Sequence, residues 1–250
     1  MIQLTRHHRC SRRSAVGLIA ATLSLSLASP PVSSKALETS PAQETSRPQP
    51  KPAEVQTQAS RVYVFVDKIG LGHQHGVEAK LSSGTLVLGA HQNAGTLVFD
   101  MKSFSADTPA ARKYVGLSGT TDASTRGAVN TNMRGSAVLD VARYPTATFE
   151  VLSAMPTGAS SPRGLPTYQL RGNFTLHGVT RPLVFLADVQ QRSGWLHVRG
   201  SFTIKQSSFG IQPYSKAFGA IGVTDQLKVF GDLYVAPTDK IAMMEIPSSE

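Results

Sequence analysis

The sequence predicts a mainly β fold, a single antiparallel barrel of eight strands with a short helical insertion. Three stretches, 169–176, 195–205 and 226–235, alternate apolar and polar residues with the period of a half-buried strand. Each has a glycine in the middle of its apolar face, at Gly172, Gly200 and Gly231. Glycine inside a strand forfeits packing, so it marks a bulge, a barrel corner or a surface that another group approaches closely. Three such glycines predict strong curvature around an interior that side chains do not fill.

Eight alternating segments supply the predicted strands. They are 62–67, 76–88, 96–101, 147–151, 168–176, 183–189, 195–205 and 226–235. In the first segment both faces carry apolar residues, for example Tyr63 and Val64, which predicts a strand that is covered on its outside. Short turns separate most of the segments, and closing such strands into a barrel removes the exposed sheet edges.

One stretch, 107–133, breaks the β pattern and predicts the helical insertion. Asp107, Thr108 and Pro109 place an N-cap and an early proline ahead of a helix over 110–115, and a second helix is predicted over 125–133. We expect this insertion to cover one end of the barrel.

The N-terminal 29 residues predict a secretory signal peptide, because a basic stretch precedes an apolar run that is too short to span a bilayer. The pair Arg12 and Arg13 directly before that run resembles a twin-arginine export signal, although Ala15 and Val16 follow where that signal prefers an aromatic residue and leucine. Ordinary secretion and twin-arginine export therefore both stay open. Either route predicts a periplasmic or secreted protein.

Composition predicts the remaining domain boundaries. Residues 30–60 are rich in Pro, Ser, Thr, Gln and Ala and predict a disordered spacer, residues 61–236 the barrel domain, and residues 237–250 a mobile tail. The formal charge of +9 includes four arginines of the predicted signal peptide, and no dense basic cluster follows, which argues against nucleic acid as a partner. The single cysteine, Cys10, also lies in the signal peptide, so no disulfide is expected in the mature chain.

Three segments resemble motifs of the YceI-like family of extracytoplasmic, lipocalin-shaped proteins. Residues 139–149 (LDVARYPTATF) resemble its D-v-x-x-Y-P-x-x-x-F segment, residues 172–182 (GNFTLHGVTRP) its G-x-L-T-l-H-G-v-T-r-P hairpin, and residues 202–214, with Phe209-Gly210-Ile211, its F-G-I segment. The resemblance implies a lipocalin-like barrel that holds a long apolar lipid, such as a polyisoprenoid or a quinone tail, and requires no other cofactor. At 70–77 (GLGHQHGV) the chain departs from the family's histidine-serine and phenylalanine-rich strand. The length and type of the lipid therefore stay open.

The inward apolar faces supply the candidate binding residues. We predict that the following residues line a lumen: Phe99, Phe149, Leu170, Gly172, Phe174, Phe185, Val198, Gly200, Phe202, Ile204, Leu227, Val229, Gly231 and Leu233. Periodicity alone also fits a fully packed core. That alternative is a structural domain without a ligand. The partner expected for a lumen is a long-chain apolar lipid, together with transient contact to a membrane or a membrane protein, and the oligomeric state stays open.

Histidines supply the alternative hypothesis of a metal-dependent or quinone-linked enzyme in the same barrel. His73 and His75, two residues apart, would share a strand face, with His91 or His177 as a third metal ligand. Glycines around the pair favour backbone hydrogen bonding instead, so no metal site is predicted. No G-x-S-x-G motif is present and the carboxylates are scattered over different strands, so the sequence indicates no catalytic residue.

Replacing Arg12 and Arg13 by lysine tests the export route. If the twin-arginine pathway is used, the double variant should remain in the cytoplasm as uncleaved precursor, measured by fractionation and immunoblotting. Normal export of the variant would contradict twin-arginine transport and would leave ordinary secretion as the route.

Overall fold

The structure is a computed structural model that describes residues 51–238, in which eleven strands and two α-helices are formed. The strands are β1 Arg61–Gly70, β2 His75–Ala79, β3 Leu81–Leu86, β4 Gly95–Asp100, β5 Ser105–Ala106, β6 Thr146–Ser160, β7 Pro166–Leu176, β8 Val179–Arg192, β9 Trp195–Lys205, β10 Ser215–Lys216 and β11 Ile221–Val235. The helices are α1 Pro109–Tyr114 and α2 Ala123–Arg134, and short 3₁₀ turns occupy Met101–Ser103, Gln206–Phe209 and Ala217–Gly219.

All the strands belong to one strongly curled antiparallel sheet, which confirms the mainly β prediction. Its order is β3-β4-β6-β7-β8-β9-β11-β1-β2-β5, with β10 on β11. The described strands number eleven and not the predicted eight. Two of them, β5 and β10, have two residues each and are too short to show alternation, and the strand predicted over 76–88 is divided into β2 and β3.

The short connection between β2 and β3 links the two ends of the sheet along the chain. β2 pairs with β1, where Ala79 lies opposite Val62, and β3 pairs with β4, where Leu81 lies opposite Phe99. Between them Lys80 accepts a hydrogen bond from the amide of Asp100 at 3.0 Å. Within two residues, from Ala79 to Leu81, the chain passes from one end of the sheet to the other. The sheet is therefore curled, and the inward faces of its long strands face one another.

The connection between β6 and β7 is shorter than the gap between the predicted segments 147–151 and 168–176. β6 continues to Ser160 and β7 begins at Pro166, and the hydroxyls of Thr157 and Thr167 hydrogen-bond across this pair at 2.6 Å. The end of β6 is polar and exposed and its register is irregular, so it lacks the apolar alternation by which strands are recognised.

Both predicted helices are present. Thr108 caps α1 by accepting a hydrogen bond from the amide of Ala111, and Asp122 caps α2 by accepting one from Thr125, each at 3.0 Å. The ring of Tyr114 in α1 stacks on Tyr63 with 3.9 Å between centroids, which covers the outside of β1 as predicted. No helix among residues 51–238 is long and apolar enough to cross a bilayer.

The described fold begins earlier than the predicted boundary at Arg61. Val55 is buried, its amide donates to the carbonyl of Gly84 at 2.9 Å, and the next amide, of Gln56, donates to Tyr234 at 2.8 Å. The segment 53–56 therefore bridges β3 and β11 and closes one end of the curled sheet. The predicted signal peptide, the rest of the spacer and residues 239–250 of the predicted tail lie outside the described residues.

Replacing Gly172 with alanine tests how closely β6 and β7 approach. A Cβ there would lie 2.0 Å from the carbonyl oxygen of Glu150, so we expect the free energy of unfolding to fall by about 1–3 kcal/mol. Gly127 in α2 is the control, because a Cβ on this residue would have no atom within 4 Å. Alanine at position 127 should raise stability by roughly 0.5–1 kcal/mol. Equal effects of the two changes in denaturant unfolding would contradict this packing.

Candidate functional site

The inward faces of the strands enclose an apolar cavity of about 210 Å³. A single water molecule needs roughly 10–15 Å³ by the same measure, so the space is far larger than a packing defect. Its walls are almost entirely hydrocarbon, contributed by every long strand and by α2. Apolar surface of this kind is poorly hydrated, and a cavity lined by it favours an apolar ligand.

Thirteen of the fourteen predicted lumen residues line this cavity, and Gly172 is the exception. A side chain at Gly172 would meet the backbone of Glu150 and the ring of Phe149, so this glycine permits close approach of two strands instead. Sequence periodicity did not find the lining residues of the insertion, including Val129 and Met133 of α2 and Leu139 after it, because they belong to no strand. That the lining residues bind a ligand stays a prediction.

The inward side chains are incompletely covered by protein atoms. Phe99, Phe185, Phe202, Ile204 and Leu227 face inward and yet keep part of their surface accessible, whereas the residues at the Val55 end are fully buried, among them Leu86, Val189 and Val235. A packed core leaves such side chains no accessible surface. The arrangement is therefore that of a cavity with one sealed end.

Aromatic rings form one wall of the cavity. The ring centroids of Phe149 and Phe185 are 5.7 Å apart, those of Phe185 and Phe202 5.0 Å, and those of Phe202 and Phe174 6.1 Å. Rings at these distances support one another in tilted and edge-on contacts. This wall is a continuous, rigid apolar surface along the cavity.

The two remaining predicted glycines differ in the space around them. A Cβ on Gly200 would lie 2.8 Å from the ring of Phe185 and 2.9 Å from the carbonyl oxygen of Leu186, so that position is already filled. A Cβ on Gly231 would have no atom within 4 Å. Of these two positions, Gly231 is the one that leaves cavity space free.

Four polar residues lie at the end of the cavity opposite Val55, where β9 ends and β11 begins: His75, Asn132, Gln206 and Tyr214. The side-chain amide of Asn132 in α2 donates to the hydroxyl of Tyr214 at 3.3 Å, and that of Gln206 donates to the carbonyl of Thr224 at 2.8 Å. Because the Gln206 nitrogen must face that carbonyl, its side-chain oxygen points away from it. Gln206 is only 5 % exposed, and no hydrogen bond to its side-chain oxygen is formed by residues 51–238.

His75 is held by a buried carboxylate. Its Nδ1 lies 2.6 Å from Oδ2 of Asp107, whose other oxygen accepts from the guanidinium of Arg112 at 3.1 Å and from the amide of Gly76 at 3.2 Å. Burial alone would raise the pKa of Asp107, but the hydrogen bond and charge of His75 with the Gly76 and Arg112 contacts outweigh it, and the pKa lies below its usual range. Asp107 is thus an ionised carboxylate that fixes the imidazole beside the cavity, leaving Nε2 without a partner among the described residues.

The histidines named in the alternative hypothesis of a metal-dependent enzyme do not lie together in the described residues. His73 lies in the exposed turn before β2, so the expectation that it shares a strand face with His75 is wrong. His91 is exposed between β3 and β4, and His177 occupies the β7–β8 turn with φ 52° beside the ring of Tyr144. Residues 51–238 contain no group of three or more His, Cys, Asp or Glu side chains placed to hold a metal ion. The expectation that His75 hydrogen-bonds the backbone is also wrong. Its partner is the side chain of Asp107, 32 residues away along the chain.

A second histidine and carboxylate pair lies on the outer side of the sheet. Nε2 of His197 is 2.5 Å from Oδ1 of Asp232, and the imidazole stacks on Tyr234 with 4.4 Å between centroids. Neither His197 nor Asp232 lines the cavity. This pair links β9 to β11 and is separate from the candidate site.

The curled antiparallel sheet and its apolar cavity, sealed at one end, define a lipocalin-like fold. Residues 54–233 match the model of the YceI-like domain, and the chain belongs to that family. The resemblance of its motifs to this family is therefore confirmed.

Relatives of known sequence or structure are similar over part of the chain. A UPF0312 protein of Azotobacter vinelandii is 33 % identical over 117 residues, which are 44 % of this chain and 58 % of that protein. One of Pseudomonas paraeruginosa is 31 % identical over 124 residues, 47 % and 59 % of the two chains. The chain thus spans less than two thirds of these relatives. A polyisoprenoid binding domain from Saccharophagus degradans has a similar structure, with a TM-score of 0.51 and 16 % identity, covering 74 % of this chain and 98 % of that one.

Replacing Asp107 with asparagine tests the charge that holds His75. Asparagine tolerates the left-handed backbone of this residue, φ 54°, so the change removes charge without adding strain. At neutral pH we expect a loss of roughly 1–3 kcal/mol in the free energy of unfolding. The depressed pKa means that this contribution is present above the usual carboxyl pKa of about 3.9 and is lost as pH falls through the lower folded value. Wild type and variant should therefore begin to converge below about pH 4 and should meet only below the lowered pKa of folded Asp107. Urea unfolding across pH measures the difference, and a constant difference would contradict an ionised Asp107.

Proposed function

We propose that this protein binds a long apolar lipid, a polyisoprenoid or a quinone, with its chain inside the barrel, for storage, protection or transfer. The observation that carries the proposal is the cavity itself, whose inward phenylalanines and leucines remain uncovered although they face the interior. Burial of each CH₂ group of a ligand contributes about 0.8 kcal/mol, so a chain of ten carbons supplies roughly 8 kcal/mol before the costs of association. Apolar contact alone is thus enough for useful affinity.

Family membership supports the same ligand class. The structural neighbour from Saccharophagus degradans is described as a polyisoprenoid binding domain, and its similarity extends over nearly the whole of that chain. The similarity concerns the fold, while the lining residues come from this chain alone. They form a wall of aromatic rings and aliphatic side chains that suits the branched methyl groups of an isoprenoid.

The polar end of the cavity would receive the head group of the lipid. Because the ionised carboxylate of Asp107 can only accept, Nδ1 of His75 donates to it, and Nε2 is left to hydrogen-bond a head group. The side-chain oxygen of Gln206 is an acceptor without a partner in the described part of the chain. The Gln206 oxygen favours a head group that donates a hydrogen bond, such as an alcohol or the hydroxyl of a reduced quinone, and Nε2 of His75 offers a second polar contact.

The alternatives have weaker support. A quinone-linked enzyme would rest on the His75 and Asp107 pair, which is also explained as a fixed polar contact for a head group. A structural domain without a ligand would leave the apolar cavity without a purpose. We therefore propose a binding protein in which no reaction is required.

We also propose that the protein works outside the cytoplasm, in the periplasm or after secretion. The support is the sequence of residues 1–29, with its basic stretch, apolar run and small residues. A lipid of this length is almost insoluble in water, so enclosure of its chain is useful in an aqueous compartment between membranes.

Replacing Gly231 with leucine tests whether the cavity holds the lipid. The new side chain enters free space, so the variant should remain folded and melt no lower than wild type. A polyprenol or quinone supplied at about 100 times its Kd should stabilise wild type by about 2.7 kcal/mol, which raises the melting temperature by roughly 5–10 °C. Gly231→Leu should lose that rise because its side chain occupies ligand space.

Gly200→Leu is the matched control, since the same change there overlaps Phe185 and should lower the melting temperature without ligand. Differential scanning calorimetry with and without lipid measures all three proteins. A wild type unaffected by every polyprenol and quinone offered, or a Gly231→Leu protein that keeps the full rise, would contradict the proposal.

A further inference from the structure

Four large apolar side chains are exposed together where the chain turns at the end of β1 and before β11. Leu71 is 79 % exposed and Phe218 is fully exposed, and Ile69 and Ile221 are each about half exposed. Gly70 pairs with Ile221 and Ile69 with Gly222, so the two segments lie side by side and their apolar side chains project from both faces of one narrow tip. We call residues 69–72 and 217–222 the apolar tip.

The two segments of the apolar tip are packed closely, backbone against backbone. The amide of Leu71 donates to the carbonyl of Ala220 at 3.0 Å. A Cβ on Gly70 would lie 2.3 Å from the Ala220 oxygen, and one on Gly72 would lie 2.5 Å from the Gly222 oxygen. Phe218 has a left-handed backbone, φ 53°, which is uncommon for a bulky residue. The close backbone contacts occupy the inside of the tip and leave its large side chains in solvent.

Basic residues flank the tip and acidic residues are absent from it. Lys68 precedes the first segment and Lys216 the second, residues 69–72 and 217–222 contain no Asp or Glu, and the nearest carboxylate along the chain is that of Asp67 beside Lys68. Neither lysine takes part in the ion pairs formed within residues 51–238. The ammonium of Lys216 lies 5.8 Å from the ring centroid of Tyr214. Lys216 is free to meet a negatively charged surface, and Lys68 would meet it with the carboxylate of Asp67 close by.

The tip adjoins the polar end of the cavity. Val66, Tyr214 and Val223 line the cavity, and each lies within three residues of the tip along the chain. His75 pairs with Val66 at the same end. Any surface that receives the tip therefore lies beside the end of the cavity that carries the polar groups.

We propose that the apolar tip docks the protein onto the surface of an anionic lipid membrane. Exposed aromatic and aliphatic side chains with cations beside them suit the boundary between head groups and acyl chains. A protein partner is less well matched, because the tip offers few side-chain hydrogen-bond groups and no acidic residues. Docking goes beyond the proposed function and requires no ligand in the cavity, although it would place the cavity where a lipid enters or leaves.

A tryptophan in place of Phe218 tests the docking in the full chain. The probe is Phe218→Trp in a Trp195→Phe background, mixed with vesicles of phosphatidylglycerol and phosphatidylcholine in equal parts. We expect its emission to shift to shorter wavelength and to be quenched by lipids brominated in their acyl chains. Leu186→Trp in the same background is the control, because Leu186 is exposed on the wall of β8 away from the tip, and its emission should not change.

Replacing Lys68 and Lys216 by glutamine should weaken partitioning of the Phe218→Trp protein about 30-fold, since each lysine near an anionic surface contributes about 1 kcal/mol. Vesicle binding through residues outside the tip would leave the tryptophan at position 218 in water, so an unshifted emission with vesicles present overturns the proposal. A shift that instead grows with protein concentration without vesicles would assign the tip to contact between copies and would also overturn it. Failure of lipid binding in the cavity would leave these results unaffected.

Discussion

The bend at Lys80 is the constraint on which the rest of the structure depends. A strand that continued straight after Ala79 would stay paired with β1 and would leave β4 at an open edge. Because the chain turns instead, β3 pairs with β4 and the long strands curl around a common interior. Their alternating side chains then divide into an outer set, partly covered by Tyr114 of α1, and an inner set that packs against itself and against side chains of the helical insertion.

The inner set does not fill the space that the curvature creates. Val55 and the fully buried residues near it seal one end of the cavity. At Gly231 there is space that no side chain fills. An unfilled apolar cavity lowers stability by about 24 cal/mol per Å³, so a cavity of about 210 Å³ would cost on the order of 5 kcal/mol. That is a large part of a typical domain's stability of roughly 5–15 kcal/mol. Retention of such a space is understandable when a ligand fills it during the working life of the protein.

The polar end follows different physics. Asp107 is buried yet ionised because three groups, His75, Gly76 and Arg112, each supply a hydrogen bond to it. Asp107, whose backbone is left-handed, lies in the short connection between β5 and α1. The insertion that covers the cavity therefore also supplies the carboxylate that orients His75. One segment of the chain thus both covers the cavity and fixes the imidazole of His75 beside it.

Sequence patterns could predict the inner faces because strand alternation is a local property. The prediction of Phe202 and its neighbours as lining residues therefore agrees with the structure, and so do the two helices. The roles of the three glycines could not be told apart, since Gly172 and Gly200 meet atoms of neighbouring strands and Gly231 does not. The bend at Lys80 carries no glycine or proline signal, and the bond between Asp107 and His75 depends on how the sheet curls. These features follow from tertiary pairing, which single-sequence periodicity does not report.

Solvent extraction of the purified protein followed by mass spectrometry tests the central claim most directly. Protein isolated from a host that makes polyprenols and quinones should release close to one such lipid per chain, and the stripped protein should melt at a lower temperature than the loaded one. Protein that releases no isoprenoid, with a melting temperature unchanged by extraction, would contradict the account of the cavity as a lipid site.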